Sequence, residues 1–297
     1  VLSVLCCVAL LAACSREHAS GARAKIRKEH APYVAKLVVE DLQRHTVGLR
    51  KAAERIGAGF VKVTGEQQAT EMRQVFTLLR SPKKGVPELI ISPMSFIAAV
   101  DMNGVVIARN GDDDRMKGMD LGADFPVVKA ALQGHEGYQI GEFQSLEKGG
   151  EPSASIVMAA PAHYGGQVVG ALVLGIPLWR LQQRLSKQLQ MEEAGKPSGD
   201  EGGGAGEGAQ AAKDKGAPSV VIWVYLYRGD KLHHHGTPRD LDKLVPDAKA
   251  RAAGYATSPG GFTGEAVQFG YWYGYGVRPL RVLGDDVGMV VFRMDPQ

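Results

Sequence analysis

Cysteine is almost missing from this chain of 297 residues: the three present are Cys6, Cys7 and Cys14, and none follows. That scarcity excludes a disulfide framework, a CxxC redox pair, a thiolate zinc site and covalent haem attachment. An excess of either charge is missing too. The formal net charge is +3, and Lys and Arg are dispersed without a basic arm or an aromatic-interleaved stripe, which argues against nucleic acid as a partner. Aromatics are few, at 7%. Motifs of catalysis are lacking as well: there is no GxSxG elbow, HExxH helix, Walker A loop or cysteine nucleophile beyond Cys14. What remains is 44% hydrophobic and 23% charged, enough for one large core or two ordinary ones and too apolar for a disordered chain. Glycine is plentiful, with 38 residues, which implies many tight turns, a flexible insert, or both.

Val1 to Ala13 is a run of small and apolar residues with the length of a signal-peptide h-region, too short to span a bilayer. It ends Leu11-Ala12-Ala13-Cys14, which resembles the bacterial lipobox; the resemblance implies cleavage before Cys14 and acylation of that cysteine. Two or three acyl chains anchor stably, since each buried CH₂ contributes about 0.8 kcal/mol. The departures are the absence of Lys or Arg ahead of the apolar run and Val1 in place of an initiator Met. Ser15 after the cysteine, in place of Asp, resembles the outer-membrane sorting signal of some Gram-negative bacteria. No second stretch approaches membrane-helix length, so the expected location is the cell envelope, lipid-anchored and facing the periplasm or exterior.

After a polar spacer, Val34, Val38, Leu42, His45, Leu49, Ala52, Ile56, Phe60 and Val63 recur at spacings of four and three, predicting a long amphipathic helix weakened by Gly57, Gly59 and Gly65. A second helix is expected from about Glu66 to Arg80, its apolar face carrying Met72, Val75, Phe76 and Leu79 and its charge-rich face solvated. From Phe96 the period becomes that of strands. Phe96–Asp101 and Val105–Arg109 flank an Asn103-Gly104 turn, a strong hairpin signal. A helix over Phe125–Leu132, strands over Tyr138–Phe143, Ser155–Ala160 and Gln167–Ile176, and a helix over Leu178–Met191 follow. Between Glu192 and Pro218 the composition collapses to Gly, Ala, Glu, Lys and Ser, a linker or long loop. The pattern then repeats: Val220–Tyr227, an Arg228-Gly229-Asp230 turn, Lys231–His235, a helix over Pro238–Ala253, and a final turn and strand from Gly284 that echo those from Gly166.

The long helix, then Val100-Asp101-Met102-Asn103-Gly104-Val105-Val106, Gly122…Pro126-Val127…Ala131-Leu132-Gln133-Gly134 and Ala160-Pro161…Gly166-Gln167-Val168-Val169-Gly170, resemble a Cache domain, an extracytoplasmic relative of PAS domains. The match covers roughly residues 34–185, and the second half fits it less closely. The resemblance implies an α+β fold: a long N-terminal helix and two PAS/Cache-like modules, each a five-stranded antiparallel sheet flanked by helices. The domain boundaries expected are 1–14 signal and lipobox, 15–33 spacer and start of helix, 34–191 helices and first module, 192–218 linker, and 219–297 a smaller second module. It further implies a small organic ligand (amino acid, amine, carboxylate or purine) and action through a membrane signalling protein. The Tyr-Arg-Trp-Tyr-Asp constellation of amino-acid-binding members is not recognisable here, so the resemblance names no single ligand.

Candidate ligand-orienting residues in the first module are Arg109, able to pair bidentately with a carboxylate, and Tyr138, with Met158, His163 and Tyr164 nearby in the strand pattern. In the second module Trp223, Tyr225 and Tyr227 alternate along one strand and Tyr271, Tyr273 and Tyr275 along another; the stripes suit either an aromatic pocket or cross-strand stabilisation, with stabilisation favoured. Asp112-Asp113-Asp114 lacks the EF-hand pattern, and His233-His234-His235 offers two imidazoles on one face with no third ligand, so neither metal nor cofactor is expected. The expected function is non-enzymatic small-molecule sensing. The alternative is a structural or assembly lipoprotein whose modules serve as protein-interaction surfaces, and a polar enclosed pocket against an apolar-filled one is the feature that separates them.

Overall fold

The structure is a computed structural model describing residues 19–111, 115–143, 153–195, 220–234 and 239–295. The lipobox, Asp112 to Asp114, His235 and most of the expected linker lie outside the described residues. The chain divides into two compact units: a first of Leu37–Leu181 with Arg281–Asp285, and a second of the described residues within Val1–Lys36, Gln182–Leu280 and Asp286–Gln297.

Residues 19–60 are helical throughout, comprising a π-helical turn at Ile26–His30, α1 over Ala31–Ile56 and a 3-10 turn at Gly57–Phe60. Val34, Val38, Leu42, His45, Leu49, Ala52 and Ile56 are all buried, as the alternating spacing requires of one helix face. In the first unit, α2 (Gly65–Leu79) buries Met72, Phe76 and Leu79, and α3 (Pro87–Ile90) starts with proline at its first position, where a missing N–H costs nothing. The first sheet holds β1 (Phe96–Val100), β2 (Val106–Arg109), β3 (Gly137–Phe143), β4 (Ser153–Tyr164) and β5 (Gln167–Pro177) in the order β2-β1-β5-β4-β3, all antiparallel. The β1–β2 turn is built by Asp101, whose carboxylate accepts the Asn103 and Val105 N–H groups at 2.9 Å, and by Gly104 at φ +86. Asp120 caps α4 (Leu121–Asp124), and α5 (Pro126–Leu132) lays Val127, Val128 and Ala131 on the sheet.

In the second unit, β6 (Val221–Arg228), β7 (Lys231–His233), β8 (Phe262–Gln268), β9 (Tyr271–Pro279) and β10 (Val287–Met294) form a sheet in the order β7-β6-β10-β9-β8, the topology of the first sheet repeated. The expected single helix over Pro238–Ala253 is two pieces, a 3-10 turn at Arg239–Leu244 and α7 (Ala248–Thr257). Pro246 supplies no N–H to continue the first, and Asp247 caps the second through the Ala250 N–H at 2.7 Å. Helix α6 (Leu178–Ala194) enters this unit from Gln182, and its polar side chains meet β6 where the short β7 leaves it unpaired. Gln182 donates to the Val224 carbonyl at 2.8 Å, Gln190 to that of Ile222 at 3.1 Å, and Ser186 accepts the Val224 N–H at 3.3 Å. At the far end of α6, Glu193 accepts hydrogen bonds from Lys25 at 2.6 Å and Arg293 at 2.8 Å and lies 3.2 Å from buried His30. Burial alone would raise the Glu193 carboxyl, but these partners bring it down to about 2.

The 3-10 turn that ends the long helix packs on β4 and β5. A Cβ on Gly57 would stand 2.0 Å from the His163 carbonyl oxygen, a backbone atom with little room to yield. Gly57→Ala, which stabilises an isolated helix by about 1 kcal/mol, is therefore expected to lower stability by roughly 1–3 kcal/mol, measured as a reduced denaturation midpoint. A raised midpoint would show that the turn does not press on β4.

Candidate functional site

The five first-module candidates do not converge on one surface. Arg109 closes the edge strand β2, in register with Ala98 of β1; the same row continues through Val173 and Ala159 to Gly137 on the opposite edge. Tyr138, one residue on, therefore lies on the other face and four strand spacings away, about 19 Å. Met158 is buried between Leu174 and Tyr138 in the sheet, sharing its face with Ile156 and Ala160. His163 and Tyr164 are exposed at the end of β4.

The space between the first sheet and α4–α5 is filled by the chain itself. Ala98, Val100, Val157, Ala159, Ala171 and Val173 meet Leu121, Phe125, Val127, Val128 and Ala131 there. Phe143 stacks edge-on to Phe96 with ring centres 5.2 Å apart and tilted on Phe125 at 4.8 Å.

The second-module stripes are brought together, as packed core. Tyr225, Tyr227 and Tyr273 are buried with Val277, Val290 and Phe292, and Trp223 and Tyr275 pack against them; Tyr271 is left exposed at the start of β9. The Tyr227 and Tyr255 hydroxyls bond to each other, and the Arg251 guanidinium lies over the Tyr227 ring at 4.1 Å while donating to the Pro246 and Gly229 carbonyls. Burial pushes both phenols up, so neither ionises near neutral pH. His233 sits opposite Leu226 in the ladder, and His234 lies 3.1 Å from the Asp242 carboxylate with its ring 5.0 Å from that of Tyr225. Among the described residues no three metal-ligating side chains cluster.

A polar cleft of about 530 Å³ opens instead beside β2 in the first unit. Arg73, Phe76 and Thr77 of α2 and Arg80, the residue that ends it, line the cleft at i, i+3, i+4 and i+7, and Ser81, Asn110 and Gly111 are also in the wall. Phe76 is the buried floor that docks α2. Asn110 is fixed by the end of the β-ladder: its Oδ1 accepts the Ile97 N–H at 2.6 Å, which leaves its NH₂ to donate. The Arg109 guanidinium reaches the rim, about 4.0 Å from where a Cβ on Gly111 would sit. No carboxylate is among the described lining residues. The volume falls within the roughly 300–1,000 Å³ of small-molecule sites. Guanidinium forks of the kind in this wall match carboxylate oxygens, and Phe76 lies buried beneath the cleft. Nothing in the sequence marks Arg73 or Arg80, which sit on the face read as solvated; the signal present was their seven-residue spacing around Thr77.

No family model and no curated protein matches the sequence. Solved structures do. The ligand-binding domain of the Campylobacter jejuni chemoreceptor Tlp3, in complex with L-valine, aligns over 97% of this chain and 95% of its own at 9% identity and TM-score 0.51. The Pseudomonas fluorescens chemoreceptor CtaA domain with L-alanine aligns over 92% and 97% at 15% identity and TM-score 0.48. An extracellular ligand binding receptor from Desulfohalobium retbaense aligns over 89% of this chain at 11% identity and TM-score 0.49, and the chain spans 40% of that receptor. The chain has a Cache-type fold. At these identities the likeness is one of fold. No helix among the described residues is long and apolar enough to cross a membrane.

If the aromatic stripe is core, truncation costs are large where rings are buried. Tyr225→Ala is expected to cost about 3–5 kcal/mol and Tyr271→Ala within about 0.5 kcal/mol, read by chemical denaturation. Equal small effects would contradict the packing.

Proposed function

We propose that this protein is a non-catalytic sensory binding protein of the cell envelope, anchored through acylated Cys14, that takes a small carboxylate-bearing ligand in the cleft beside β2 and acts through a membrane partner. The observation that carries the reading is the convergence of Arg73, Arg80 and the Asn110 amide above buried Phe76, with no acidic residue among the described residues of the wall. Lys117 holds the neighbouring Glu66 carboxyl below its ordinary value, with Arg73 adding to the effect. The Tlp3 domain was solved with L-valine, an amino acid whose carboxylate is the group such a cleft would hold.

The ligand would be recognised at the rim of the first unit, and its binding would bias α2 against the β2 edge, the elements that form the walls. A second reading, a structural or assembly lipoprotein without ligand, is favoured by one observation: the sheet faces beneath α5 and α7 are filled by the chain's own side chains.

Two measurements test the proposal. A thermal melt of the full chain in detergent against amino acids, organic acids, amines and purines is expected to give a carboxylate hit, since ligand at a hundred times its Kd adds about 2.7 kcal/mol. Arg80→Ala should weaken that hit by about tenfold or more, the loss of a charge-assisted hydrogen bond. A cooperative melt with no hit across the panel supports the scaffold reading instead. Cys14→Ser is expected to move the protein from the membrane to the soluble fraction; retention in the membrane would contradict the anchor.

A further inference from the structure

The second unit carries another basic hollow, on the face of its sheet opposite the aromatic core. Phe262 and Val277 point into that core, so Thr263, Gly276 and Arg278, their neighbours along β8 and β9, lie on the other face. Gly274 and Gly276 leave that face bare at two positions of β9. The helical N-terminal stretch descends onto them: a Cβ on Gly274 would stand 2.6 Å from the Arg23 nitrogen, and one on Gly276 would stand 2.5 Å from Ile26 Cγ2. Beside this contact a space of about 220 Å³ remains, flanked by Arg27 of the π-helical turn and Arg278 of β9.

The loop before β8 closes it. Ser258 Oγ donates to the Gly261 carbonyl at 2.5 Å and the Gly261 N–H to the Ser258 carbonyl at 3.0 Å. Gly261, at φ +125 and with a Cβ position 2.6 Å from the Val277 carbonyl oxygen, admits no other residue without strain. Ser258 has thus spent its donor within the loop. The donors left facing the hollow are the two guanidiniums and the Thr263 hydroxyl, and the described lining residues include no carboxylate. Glu265 pairs with Arg23 at 3.2 Å, and Glu193 with Lys25 and Arg293. Among the described residues neither the Arg27 nor the Arg278 side chain has an ion pair or hydrogen bond.

Size and charge together select the occupant. The hollow is below the roughly 300 Å³ at which drug-sized ligands fit and several times the roughly 30 Å³ share of one water. Two guanidiniums on opposing walls balance two negative charges, and each fork matches a pair of oxygens on a tetrahedral centre. We propose that this hollow binds a small dianionic oxyanion of the phosphate or sulfate type, either free or as a phosphomonoester headgroup. The proposal uses other residues and another ligand than the carboxylate cleft beside β2, so each stands or falls without the other.

The test is a thermal melt and a calorimetric titration of the full chain in neutral detergent micelles, with inorganic phosphate, sulfate and chloride compared at equal ionic strength. Phosphate and sulfate are expected to raise the melting temperature and chloride to leave it unchanged. Arg27→Ala and Arg278→Ala should each raise the Kd at least tenfold while melting cooperatively, and Arg80→Ala should not change it. Micelles doped with phosphatidic acid separate the two sources: a shift with the lipid and none with inorganic phosphate, abolished by the same two variants, assigns the headgroup. No shift with either form, a shift equal to that of chloride, or one that persists in both variants would overturn the proposal.

Discussion

Glycine beneath an aromatic ring is the contact on which both sheets depend. Six times a ring occupies the place of a Cβ: Phe60 at Gly170, Phe96 at Gly175, Phe125 at Gly141, Tyr227 at Gly288, Phe262 at Gly254 and Tyr275 at Gly264, with the Cβ position 2.1–2.4 Å from a ring atom or hydroxyl in each case. A ring laid on bare backbone buries most of its roughly 150–250 Å², worth about 4–6 kcal/mol as an upper figure. Any larger residue at the glycine would push that ring away. This device reconciles a sequence rich in glycine and poor in aromatics with two well-filled cores.

The same contact closes both cores. With Phe96, Phe125 and Phe143 occupying the space between the first sheet and α4–α5, and the tyrosines occupying that beneath α7, polar groups gather at the rims. Two clefts there have paired arginines and no carboxylate among their described lining residues. They differ in size and lining: the larger lies above buried Phe76, and the smaller has hydroxyl and glycine walls. The fold alone does not decide between a sensor and a scaffold, because function resides in sites that the fold carries.

Much of the fold was legible because short-range signals and burial agreed. The alternation of three and four along the N-terminal helix, the Asn103-Gly104 and Gly165-Gly166 turns, and the return of the strand order after Pro218 each correspond to an element in place. Pro246 was the signal that divides the expected helix over Pro238–Ala253, and its effect is local. The site was less legible. Arg109 and Tyr138 are plausible ligand residues by type, but only strand order puts them on opposite edges, and strand order is a long-range property. Arg73, Arg80 and Asn110 meet because α2 docks beside the end of β2, a contact across some thirty residues of sequence that no local pattern encodes. Tyr225 and its neighbours suited either a pocket or cross-strand packing by pattern, with packing favoured, and the buried cluster they form with Leu241 and Tyr255 is that packing.

The central claim, that ligands engage the rims and leave the cores closed, is tested most directly by fluorine NMR of the full chain labelled with fluorophenylalanine and titrated with a carboxylate that stabilises it. The account predicts that the resonance of Phe76, on the floor of the cleft beside β2, shifts with ligand and saturates, while those of Phe96, Phe125 and Phe143 stay fixed. Saturable shifts at Phe96, Phe125 and Phe143, with Phe76 unmoved, would show instead that the first core opens to admit the ligand.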